Sequence, residues 1–155
     1  MSLRSALIAA AALLLLCAAF LEHGSSSKGP YAADSARTPG VLNPDVTQAT
    51  IDRTICMHGW TKTIRPPTSY TNDLKRKQMR EYGVGGDLSN YQEDHLISLE
   101  LGGHPTDARN LWPEPYPRAS EVDTIENELN AKVCSGELTL EAAQLKESAL
   151  KHTDG

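Results

Sequence analysis

The sequence predicts an α+β fold: a short hairpin and one helix as the core, with further helices flanking them. Apolar residues alternate from Leu96 to Leu101, with Leu96, Ser98 and Glu100 on one side and Ile97, Leu99 and Leu101 on the other. This is the period of two of a strand with one buried face. Gly102-Gly103 follows at once and supplies the positive φ of a tight reversal, after which a polar loop leads to Asn110. Val122, Ile125, Leu129 and Val133 recur at helical spacing, and Ser135-Gly136 closes that segment.

The chain has 155 residues, room for one domain. Arg4 precedes an Ala/Leu run from Ala6 to Phe20 that turns polar at Glu22, so residues 1–22 read as a secretory signal peptide or an uncleaved membrane anchor. Cys17 would suit lipidation, but Leu16 stands where a small residue is expected. Residues 23–43, with Ser25-Ser-Ser-Lys-Gly-Pro and Thr38-Pro-Gly, carry little apolar content and are expected to form a flexible linker. The domain is placed at 44–151, and the protein in the periplasm or outside the cell, with membrane attachment through the N-terminal segment left open.

Asp45 to Ile55 reads as a short helix and Trp60 to Ile64 as a short strand. Pro66-Pro67 breaks the chain, and Thr68 or Ser69 is placed to cap a helix that runs to Tyr82 and stops at Gly83. On it Tyr70, Leu74 and Met79 are expected to face the core while Lys75, Arg76, Lys77 and Arg80 stay wet. Pro113-Glu-Pro-Tyr-Pro argues against regular structure, and Ser120 is expected to open the next helix, with Ser120 and Asp123 spaced as a capping box. A last helix begins at Thr139 with Leu140, Ala143, Leu145 and Leu150 inward, and Lys151 to Gly155 are expected to fray.

Cys56 and Cys134 are the only cysteines beyond the export segment. In an exported protein such a pair favours a disulfide, which for so long a loop contributes roughly 4 kcal/mol; two buried thiols are the alternative. The net charge of −5 argues against indiscriminate nucleic-acid binding, but its distribution is uneven. Between Thr61 and Arg80 the only acid is Asp73, whereas acids dominate from Ala119 to Glu147. Arg65, Lys75, Arg76, Lys77 and Arg80 are therefore the candidate phosphate contacts, against the plainer reading of a solvated helix face.

Asp94-His95, the Leu-Ile-x-Leu that follows, Gly102-Gly103 and Asn110-Leu111 resemble the HNH endonuclease motif of the ββα-metal fold. A longer stretch, with Thr54-Ile-Cys, Gly59-Trp-Thr and Leu111-Trp-Pro-Glu-Pro, is similar to bacterial exported proteins with an HNH-like core. The resemblance implies metal-dependent hydrolysis of DNA or RNA phosphodiesters. His95 would be the general base, Asp94 would bind a divalent cation (Mg²⁺, Mn²⁺ or Ca²⁺), and Asn110 would orient the His or support the loop. Where the motif has a His or Asn on the following helix this chain has none matching, and Asp123 and Asn127, with Glu126 beside them, are the candidate oxygen donors. Ser98 stands where many such hairpins have Pro. The other reading is a non-catalytic exported binding module that keeps the ββα scaffold. In it His95 is a hydrogen-bonded core residue.

Overall fold

The computed structural model describes residues 31–154, so the proposed signal or anchor segment and residues 23–30 lie outside the described residues. The fold is mixed α+β. Its elements are α1 (Trp60–Ile64), α2 (Thr68–Tyr82), β1 (Tyr91–His95), β2 (Leu111–Pro115), α3 (Arg118–Cys134) and α4 (Leu140–Thr153), with short 3₁₀ turns between them. β1 and β2 form one antiparallel pair in which His95 faces Leu111 and Tyr91 faces Pro115. Both α2 and α3 pack on this pair, and α4 packs on α3. Among the described residues no helix is long and apolar enough to cross a membrane.

The hairpin exists, but not where the alternation puts it. The strand is Tyr91–His95, and Leu96 to Leu101 is an irregular segment ending in a 3₁₀ turn. Leu96, Ile97, Ser98, Leu99 and Leu101 are all buried, because core surrounds this segment instead of lying on one face. Leu96 packs with Ala33 and Trp112, while Ile97 and Leu101 join Val46, Ile55, Leu129, Val133, Leu140 and Ala143. The Pro-rich stretch is the second strand. Leu96 donates to the Asn110 carbonyl and Tyr116 to that of Asn90, so Pro113 and Pro115 fall at the pairs that exchange no hydrogen bonds. In a two-stranded sheet their missing N–H groups would have pointed outward, and nothing is lost.

Gly102-Gly103 is required as expected, for two separate reasons. Gly102 has φ 79°, the left-handed region. At Gly103 a Cβ would lie 1.7 Å from the Ile97 carbonyl oxygen, so only glycine admits the close approach of the two segments.

Helix α2 has the expected span and ends at Gly83 with φ 68°, although Pro67 and not a hydroxyl residue occupies its cap. Its faces differ from expectation: Tyr70 is exposed and Lys75 is buried. Trp60–Ile64 is a helical turn rather than a strand, and only Ile51–Arg53 of the Asp45–Ile55 segment is helical. Helix α3 begins at Arg118, so Ser120 caps nothing. Thr139 caps α4 by accepting from Ala142 N–H. The inward face of α4 is Leu140, Ala143, Glu147 and Lys151, with Leu145 exposed and Lys151 at 0 % exposure instead of fraying.

The segment expected to be a flexible linker is packed from Ala33 onward. Ala33 N–H donates to the Lys151 carbonyl, Gly40 N–H to that of Arg109, and Leu42 bridges to Gly103. The packed unit thus starts before residue 44.

Cys56 and Cys134 are joined, with Cα atoms 5.5 Å apart and a sequence separation of 78. Closing a loop of that length restricts the unfolded chain, worth about 4 kcal/mol at the top of the usual range. Cys56→Ser together with Cys134→Ser should lower the unfolding free energy by about 2 to 4 kcal/mol in urea titration, and an unchanged midpoint would rule the contribution out.

Candidate functional site

Asp94, His95 and Asn110 do converge at one end of the hairpin, each with a different task. Asn110 is wholly buried. Its Oδ1 accepts from Ile97 N–H at 3.0 Å, and its Nδ2 donates to the carbonyls of Ile97 and His104 at 3.0 and 3.1 Å. It clasps the loop between the strands, the loop-supporting alternative of its two expected roles. His104 in that loop is half-buried, and its Nδ1 accepts from the Thr106 and Asp107 N–H groups.

The His95 ring is 5 % exposed, and its Nε2 lies 3.0 Å from the Pro105 carbonyl oxygen. A carbonyl only accepts, so Nε2 carries the proton and Nδ1 keeps a lone pair in the neutral ring. Burial pushes the imidazole pKa down, with the Asp94 charge opposing, so the ring is neutral at pH 7.

Asp94 sits at the focus of a charge cluster. Its Oδ2 accepts from Lys151 Nζ at 2.6 Å and its Oδ1 from Gln92 Nε2 at 3.1 Å. Lys151 Nζ also reaches Glu126 Oε1 at 2.5 Å, the His95 carbonyl at 2.6 Å and Glu147 Oε1 at 3.5 Å. Glu147 in turn accepts from Ser98 N–H at 2.9 Å. A proline at 98 would lack that donor.

Glu114 is also fully buried, and among the described residues no donor reaches either of its oxygens. Burial and the neighbouring Asp94 charge push its pKa up to about 9, so the carboxyl carries its own proton at pH 7. The Lys151 charge overcomes burial at Asp94 and holds that carboxyl below its ordinary value. Burial raises Glu126 well above the carboxylate range and Glu147 to about 7. Lys151, surrounded by these acids, is held firmly protonated.

Helix α3 brings in the remaining donors. Asp123 is free of the expected cap and its Oδ1 accepts from Gln92 Nε2 at 3.2 Å. Glu126 lies on the inward stripe with Val122 and Leu129 rather than beside an outer face. Asn127 is exposed, and its amide nitrogen is spent on the Asp123 carbonyl. Oxygens of Asp94, Asp123 and Glu126 lie within 4.8 Å of one another, so the acidic group that could hold a metal contains Glu126 where the sequence reading had Asn127. These three, with His95, Gln92, Arg65 and Asn127, line one cavity of about 290 Å³.

A divalent cation fits the chemistry of this donor set. The donors are hard oxygens, as Mg²⁺, Mn²⁺ and Ca²⁺ prefer. One ammonium faces several acid groups, and burial first, with the Asp94 charge after it, raises the pKa values of Glu114, Glu126 and Glu147.

Of the basic residues of α2, Arg76, Lys77 and Arg80 are exposed as expected and Lys75 is not. Lys75 donates to the carbonyls of Leu88 and Tyr91 at 3.0 and 2.7 Å and is withdrawn from solvent. It braces β1 and is not placed to contact phosphate. Arg76 pairs with Asp73, Lys77 with Glu81, and Arg80 donates to the Arg76 carbonyl. Arg65 alone of the five lines the cavity with His95.

Lys151, Glu114 and Glu147 are members of the cluster that sequence reasoning missed. From sequence Lys151 belongs to the end expected to fray, and Glu147 is only one of the acids of the C-terminal half. The only local hint for these two was their register with Leu140 and Ala143, which puts them on the inward face.

No protein-family model matches the chain, and no curated protein or solved structure is significantly similar to it.

Proposed function

We propose that the chain is an exported HNH-type metal-dependent nuclease that hydrolyses phosphodiester bonds of DNA or RNA. The observation that carries the reading is one cavity that holds a neutral imidazole, three clustered carboxyl groups and an exposed guanidinium. The order of a hairpin followed by a helix, with Asp94-His95 ending the first strand and Asn110 before the second, agrees with an HNH-like core. The disulfide is compatible with export.

In this reading Asp94, Asp123 and Glu126 hold the cation, which when bound supplies a Lewis acid for the charge that develops on phosphate and leaving oxygen. His95, its Nε2 proton anchored on Pro105, takes a proton from the attacking water at Nδ1. Arg65 orients a phosphate at the rim. Lys151 is a positioning residue: it fixes one oxygen each of Asp94 and Glu126 from below and leaves the second oxygen of each for other partners.

One observation favours the non-catalytic binding module. Lys151 already answers part of the acidic charge, as an internal cation does in a scaffold that has no need of metal. Plasmid nicking with Mg²⁺, Mn²⁺ or Ca²⁺ and with chelator separates the two, alongside titration calorimetry with each ion. Cation binding with chelator-sensitive nicking is expected; neither binding nor nicking would leave the binding module as the reading.

A further inference from the structure

We infer that the groove running from the candidate site across α1 to the Cys56–Cys134 bridge holds the nucleic-acid strand that flanks the phosphodiester acted on, with Arg65 and Lys62 as its phosphate contacts. The inference rests on the nuclease reading above.

Two cavities adjoin here. Beside the one that holds His95 and Arg65 lies a second of about 400 Å³, lined by Lys62, His58, Asn130 and both bridged cysteines, and Glu100 belongs to the walls of both. Lys62 and Arg65 are three residues apart on α1 and its C-cap, a spacing that sets side chains one above the other on the same face. One helical turn therefore lays two cations along the junction of the cavities, on the scale at which successive phosphates follow along a strand.

Both side chains are exposed, and neither makes a hydrogen bond or ion pair among the described residues. A cation binds phosphate by releasing the counterions it displaces, so only charge not already answered within the protein contributes. By that measure α2 is the poorer surface. Lys75 is buried, and Arg76 and Lys77 have acidic partners at 2.6 and 3.7 Å. Glu100 is the one acid in the second cavity; it is half-buried, and Arg65 is the cation that acts on it.

The bridge gives the groove a fixed geometry. Cys56 precedes α1 and Cys134 ends α3, which carries Asp123 and Glu126. The flanking subsite is thus tied covalently to the helix that supplies the proposed metal donors, and a strand held by Lys62 and Arg65 meets the acids at a set distance. Asn130, one turn before Cys134, adds a second tie by donating to the Glu100 carbonyl at 2.7 Å.

The test is fluorescence anisotropy of the intact protein with a labelled phosphorothioate single-stranded DNA, which resists hydrolysis, in Ca²⁺ over a series of salt concentrations. Lys62→Gln with Arg65→Gln should weaken binding about tenfold and flatten the slope of log K against log salt by about 1.4, the value for two phosphate contacts on a single strand. Arg76→Gln with Lys77→Gln should leave affinity within about twofold and the slope unchanged. All four positions are exposed, so the thermal midpoints of both variants should match the parent. An unchanged slope in the Lys62/Arg65 variant, or a loss confined to the Arg76/Lys77 variant, overturns the inference while the nuclease reading stands. Failure of the unmodified protein to bind the strand at low salt overturns both.

Discussion

Lys151→Met is expected to destabilise the protein by about 3 to 5 kcal/mol at pH 8, the usual cost of removing one partner from a buried ion pair. The methionine roughly fills the aliphatic volume, so the loss isolates the charge. Without the ammonium, Asp94, Glu126 and Glu147 lose the cation that lowers the pKa of each. They then take up protons on folding that the unfolded chain, with ordinary carboxylates, releases. Stability that depends on a proton held only by the native state is lost as pH rises above the unfolded value. The deficit of the variant should therefore shrink towards about pH 4.5, where the unfolded carboxylates also protonate.

The parent protein should show the same slope more gently, because burial already raises Glu147 to about 7, Glu93 to about 8 and Glu114 to about 9. Urea titrations at several pH values measure both trends. Adding Glu126→Gln to Lys151→Met should recover part of the loss, since it removes an acid that the ammonium no longer balances. A small deficit that does not change with pH would mean that water, not Lys151, satisfies these acids.

His95→Ala and His95→Gln are both expected to lower the nicking rate by about 10² to 10⁴, the scale of a general base. The pair separates chemistry from structure. His95 is buried and its Nε2–H is held by Pro105, so alanine removes packing and a hydrogen bond together. Alanine should cost about 2 to 4 kcal/mol of stability on the ordinary scale of a large-to-small core change. Glutamine keeps a donor of similar reach and should retain most of the stability, yet its amide has no basic nitrogen. Equal rate losses with unequal stabilities support the base. A glutamine variant that nicks like the parent assigns His95 to the structural role of holding the loop at Pro105.

The sequence by itself determined the features that depend on a few neighbouring residues. The span of α2 and its stop at Gly83, the Gly102-Gly103 reversal and the end of α3 at Ser135-Gly136 follow from backbone preferences that act locally. Cys56 and Cys134 could be paired because no other cysteine follows residue 17. Asp94, His95 and Asn110 are singled out by a motif resemblance carried in about 20 consecutive residues, and they meet at one end of the hairpin.

What surrounds the chain was decided only by the tertiary structure. Leu96 to Leu101 reads as a half-buried strand, but core on every side removes the meaning of the alternation. Pro113 and Pro115 read as breakers, and become harmless because their register turns the missing donors outward. Lys75 reads as a solvated charge and Lys151 as part of a fraying end. Whether a lysine on a helix is wet or enclosed depends on what packs over it, and here β1 and the acids of α3 and α4 supply carbonyls and carboxylates that repay the loss of water. Burial is a property of distant segments brought together, so periodicity along one segment cannot report it.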